Sequence, residues 1–343
     1  MRNRTRLFVT VASATLAVGV ATAGVASYVG LERIGFGGSG TAADLAFIPG
    51  TAEFVAFADV RQLLDSGLRH TLQPNLPTPS TTPDAKNPLE EIGLNIETDV
   101  DSVVVAALPG TTAQQSMPLV VAHGRFDAAK IEALVRNAGG APSEYQGIRM
   151  VANDMVAVAF IETGMLVVGQ PASVRSSLDT KTSGAGGVTA NDALMRLVHR
   201  VEDSNTWVVA NFQSLQALKQ LPGGVTGQLP AITWLAAGGQ VGDGLSARIF
   251  AEGRDAQAAQ DLREVVKGFV ALARMQTGQQ AALAELLNTV ELSGEGNTVT
   301  LSFAVPAQFF ERLKNDGVLP FPGPSAQQPP AVNRRPAPVR PAA

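Results

Sequence analysis

Arg2, Arg4 and Arg6 are followed by a stretch from Leu7 to Leu31 that holds no charged residue. At 25 residues this run exceeds the roughly 20 that a helix needs to cross a bilayer. Basic residues ahead of an apolar run keep the N-terminus in the cytoplasm and place the rest of the chain outside. The body must therefore fold outside the cytoplasm, and the sequence contains no cysteine with which to staple it. Disulfides, a lipid-modified cysteine, thiolate metal centres and a thiol nucleophile are all excluded. Stability has to come from a packed core.

Two readings of residues 1–31 stand side by side. Ala21-Thr22-Ala23 supplies the small-x-small cleavage site of a signal peptide, whereas the continuation of the apolar run past it fits an uncleaved signal anchor. Residues 32–43 come next as a Gly-rich tether. Its Gly35-Phe36-Gly37-Gly38-Ser39-Gly40 satisfies G-x-G-x-x-G but lacks the flanking strand and helix that a dinucleotide site requires. At the other end, residues 320–343 contain eight prolines and no acidic group. The composition predicts a disordered, extended tail. These two ends carry six of the 26 basic residues and none of the 30 acidic ones, leaving a body of net charge −10. Nucleic acid is disfavoured as a partner, because phosphate neutralisation needs a basic footprint.

Within the body, short apolar runs alternate with helical patterns. Phe54–Ala58, Val103–Ala107, Leu119–Ala122, Ile148–Val151, Met155–Phe160 and Met165–Val168 read as strands. Asp59 and Asp127 precede helical patterns in the N-cap position, and Pro171 suits a first helical turn. Thr71–Pro88, with five prolines, reads as a long loop. A second series begins near Val208 and includes a long helix over Asp255–Met275, a shorter one over Ala281–Leu287 and a hairpin over Thr289–Val305.

Three segments of this second series match the first in order. Val208–Leu215 lines up with Ala56–Leu63, Ala251–Arg254 with Ala122–Arg125, and Leu301–Leu313 with Leu166–Leu178. The expectation is α+β, with two duplicated α/β units (44–180 and 189–319) whose mostly antiparallel sheets are covered by helices, with a linker near Thr180–Val188 between them; whether the two sheets join into one is left open.

Chemistry-bearing residues are few. Glu97, Asp99 and Asp101 alternate but lack the glycine and further oxygen ligands of a calcium loop. His70, His123 and His199 have no partner at metal-ligand spacing. No nucleophile elbow, P-loop or zincin pattern occurs, so no catalytic, cofactor-binding or metal-binding residue is assigned and no cofactor is expected. Arg125 and Arg254, each after a glycine at a strand-to-helix junction, are the two candidates for anion contact, against the simpler reading of a recurring turn. Trp207 and Trp234 fall in strands and read as core.

The stretches from Phe47-Ile48-Pro49-Gly50 to Ala58-Asp59-Val60, from Asn95 to Ala106, and from Leu166 to Leu178 resemble uncharacterised bacterial membrane-anchored envelope proteins, which carry one N-terminal membrane segment ahead of an α/β body. The resemblance implies an exported, membrane-associated protein and brings no catalytic residues with it. Together these readings favour a membrane-tethered, extracytoplasmic, non-enzymatic module that binds a protein or envelope component; if the N-terminal segment is cleaved, the body is periplasmic or secreted. A carrier of lipid or another apolar ligand, and a hydrolase with a dispersed site, are the alternatives.

Overall fold

The computed structural model describes residues 42–72, 96–110, 116–184, 186–212, 231–276 and 281–310. The segments expected as anchor, tether, Pro-rich loop and tail lie largely outside these, as do the glycine motif and the stretch after Phe212.

Twelve strands form one sheet. In chain order they are β1 (Phe54–Asp59), β2 (Val100–Pro109), β3 (Ser116–Gly124), β4 (Ala141–Tyr145), β5 (Ile148–Ala152), β6 (Ala157–Glu162), β7 (Met165–Gly169), β8 (Thr206–Asn211), β9 (Ile232–Val241), β10 (Leu245–Gly253), β11 (Glu291–Ser293) and β12 (Thr298–Val305). Their order across the sheet is β11-β12-β10-β9-β8-β1-β2-β3-β7-β6-β5-β4, and every pairing is antiparallel. The fold expectation is corrected here. In place of two α/β units there is one antiparallel sheet, in which β1 pairs directly with β8, Val55 opposite Val209 and Phe57 opposite Trp207. The matched segments fall on β1 and β8, β3 and β10, and β7 and β12, all strands of this single sheet. The stretch read as a linker is also built in: a helix runs from Pro171 to Ser183, Gly187 bridges to Pro49, and Val188 is fully buried in the main core.

Helices cover the two faces unequally. On one face lie α1 (Ala42–Leu45), α6 (Pro171–Ser183) and α7 (Asp192–Val198). Their Leu45, Val174, Leu178, Leu194 and Val198 pack on Val55, Phe57, Val104, Val121, Val167 and Trp207. The other face carries α5 (Ala128–Asn137) over Val151 and Val158, and α8 (Ala256–Gln276) over Ala251 and Val299. α9 (Ala281–Asn288) packs Leu286 beside Ala247, Phe303 and Val305 on that same face. The short α2 (Val60–Leu64), α3 (Gly67–Leu72) and α4 (Ile96–Asp99) sit in the connections. All six residues of β1 are buried, Val55 and Phe57 in the core under α1, α6 and α7 and Ala58 beside Leu63 of α2, in keeping with its uninterrupted apolar run. The sheet edges are blunted, by shortness at β11 and by Pro142 and Glu144 in β4. No helix among the described residues is long and apolar enough to cross a membrane.

Candidate functional site

On the α6–α7 face no described helix extends past β8 over the far strands β9, β10, β12 and β11. Directly opposed residues of antiparallel strands share a face, so the register gives the surface row by row. Ala236, Phe250 and Thr300 form the last row with an apolar floor, where Phe250 joins the main core and the Arg200 guanidinium stands 5.5 Å from its ring. The next row is Gly238, Arg248, Ser302 and Glu291, and the one beyond is Gln240, Ser246 and Ala304. The alternation of β10 explains the change of character: Ala247, Ile249 and Ala251 face α8 and α9, and Ser246 and Arg248 face out.

These two polar rows floor a cleft of about 710 Å³, within the range usual for small-ligand sites. One wall is the turn after α7. Asn205 fixes it by donating from Nδ2 to the Val241 carbonyl at 2.7 Å, and its Oδ1 accepts from the Val241 N–H. The Gln240 side chain accepts from the Asn205 N–H at 3.2 Å. Gly238 makes room for this wall, since a Cβ there would stand 2.4 Å from Ser204 Oγ. Asp203 and Ser204 line the cleft from it. The opposite wall is Glu291 with Thr289, whose hydroxyl accepts from the Ala304 N–H at 3.1 Å and so satisfies the β12 edge. Arg248 is exposed at the centre and forms no ion pair or hydrogen bond with any described residue. The cleft therefore offers a free guanidinium between two carboxylates, with hydroxyl and amide groups around them.

The residues singled out from the sequence lie elsewhere. Arg125, just past β3, donates to the Thr98 carbonyl, and Arg254, just past β10, stands 3.3 Å from Asp255. They are five strand spacings apart, roughly 24 Å at about 4.8 Å each, and their strands run in opposite directions, so they lie at opposite ends of the sheet. They do not form a joint anion site. Gly124 has its own structural reason: a Cβ there would come within 2.0 Å of the Asp99 carbonyl oxygen.

Near Arg125 the described residues gather a second polar group. His123 Nε2 lies 2.5 Å from Oδ1 of the buried Asp44, and Arg61 Nε donates to Asp101 at 2.6 Å. The Asp44 hydrogen bond raises the His123 pKa above 6.5; burial opposes it, while the charges of Asp44, Glu162 and Asp101 add to it. His199 sits 2.8 Å from Glu202 at the surface. Among the described residues no group of three or more acidic, histidine or cysteine side chains is arranged to hold a metal ion.

No family model and no curated protein matches the chain. Solved structures of TP0453 are similar in outline. Crystal form III aligns with a TM-score of 0.44 at 11% identity, over 79% of this chain and 96% of that one. Crystal form I aligns with the same score and coverage at 9% identity. At that level the likeness says nothing about function.

The sequence reading missed the cleft residues, although a signal existed. Ser246 and Arg248 in β10, and Thr298, Thr300 and Ser302 in β12, alternate with apolar neighbours, which is the pattern of a strand open on one face.

Proposed function

We propose that this chain is an exported, membrane-tethered, non-enzymatic module that holds a protein or cell-envelope component in the cleft on the open face of β9, β10 and β12. The observation that carries the reading is Arg248, which pairs with no described residue, at the centre of a cleft where no described helix covers the sheet. The tether rests on the uncharged run Leu7–Leu31. Asp203, Arg248 and Glu291 in the lining favour a ligand that carries charge.

A photo-reactive residue at Ser246, in the full chain expressed in its membrane, tests the proposal. One defined adduct is expected. It should disappear when Ser302→Trp fills the cleft, and it should be absent when the probe sits at the exposed Ala133 on α5. An adduct insensitive to Ser302→Trp, or none, contradicts the proposal.

A further inference from the structure

The charges of the cleft have an order across the sheet. Asp203 stands on the wall above Gly238, Arg248 at the centre, Ser302 one strand further, and Glu291 on the far wall. None of Asp203, Arg248 and Glu291 is in an ion pair with another described residue. An exposed guanidinium offers a carboxylate a two-pronged hydrogen-bonded seat, and an unpaired carboxylate attracts an ammonium group. A ligand with several negative charges is disfavoured, because Asp203 and Glu291 flank the one central cation.

Arg248 and Glu291 stand on backbones two strands apart, about 9.6 Å at the usual strand separation. An extended tripeptide, at most roughly 10–11 Å long, covers that separation. Ser302 between them and Ser246 in the adjoining row suit peptide amides, since neither hydroxyl bonds to a described residue. We infer that the cleft binds a short peptide with free termini, its carboxylate on Arg248 and its ammonium on Glu291, lying over Ser302. Arg200, held over Phe250 in the neighbouring row, adds positive potential at the carboxylate end. This inference rests on the cleft being the binding surface proposed above.

The test is retention on the immobilised full chain, read by mass spectrometry. The probes are a tripeptide mixture with free termini and all twenty residues at each position, the same mixture amidated at the C-terminus, and the same mixture acetylated at the N-terminus. The free mixture should be retained at least tenfold more than either blocked one. Arg248→Gln and Glu291→Gln should each lower its retention at least tenfold without shifting the melting temperature, since both side chains are exposed. Equal retention of free and blocked mixtures, indifference to both substitutions, or no retention overturns the inference. If no tripeptide is retained while the Ser246 adduct still forms and Ser302→Trp abolishes it, the peptide assignment fails and the binding-module reading stands.

Discussion

Single residues set the local terms on which this sheet closes. His123 and Asp44 fasten α1 to the end of β3, where Asp44 is only 3% exposed. Because the folded His123 pKa lies above 6.5, the folded state favours its protonated form. Its contribution to stability is complete below about pH 6.5 and is lost as pH rises through the folded value. Thermal melts across pH 5–9 should therefore show stability falling as pH rises above about 6.5, and His123→Gln should flatten that part of the curve. An unchanged curve in the variant contradicts the assignment. Gly124→Ala, which drives a Cβ onto the Asp99 carbonyl, is expected to cost roughly 1–3 kcal/mol by denaturant unfolding.

At the scale of elements, local chemistry was legible and pairing was not. Asp59 and Asp127 cap α2 and α5 as their positions suggested, accepting from Gln62 N–H and from Ala129 and Lys130 N–H, and Pro171 opens α6. These signals lie within one helical turn. Asp255 likewise caps α8 through the Ala258 N–H, which lowers its pKa, and Arg263 reaches from α8 to the Gly296 and Thr298 carbonyls. β4 was not foreseen, because Ala-Pro-Ser-Glu-Tyr has no apolar alternation and acquires its conformation by pairing with β5 at the sheet edge. α8 offers a graded test. Leu262 is buried against the sheet, whereas Leu272 of the same helix is 44% exposed. Leu262→Ala should lose about 2–5 kcal/mol and Leu272→Ala no more than about 0.5 kcal/mol, both read from denaturant midpoints.

At the scale of the molecule, the decisive contact joins residues about 150 apart in sequence, and no local pattern encodes it. Val55 and Val209 read equally well as strands of separate sheets. Only their direct pairing merges them. The cleft was hidden for the same reason. Arg248, Ser302 and Glu291 come together through the registers of β10, β12 and β11, so the row is visible only once those registers are known. A single sheet with a shared core also predicts cooperative unfolding. Fluorescence from Trp207 and Trp234, in β8 and β9, should change with the same midpoint as the far-ultraviolet circular dichroism of the whole chain. The most direct measurement is amide hydrogen exchange along β1 and β8. A continuous sheet predicts that the hydrogen-bonded amides of Val55–Phe57 and Trp207–Val209 are among the slowest to exchange. Exchange there as fast as in the edge strands β4 and β11 would mean that the sheet is not joined at its centre, and would contradict the account.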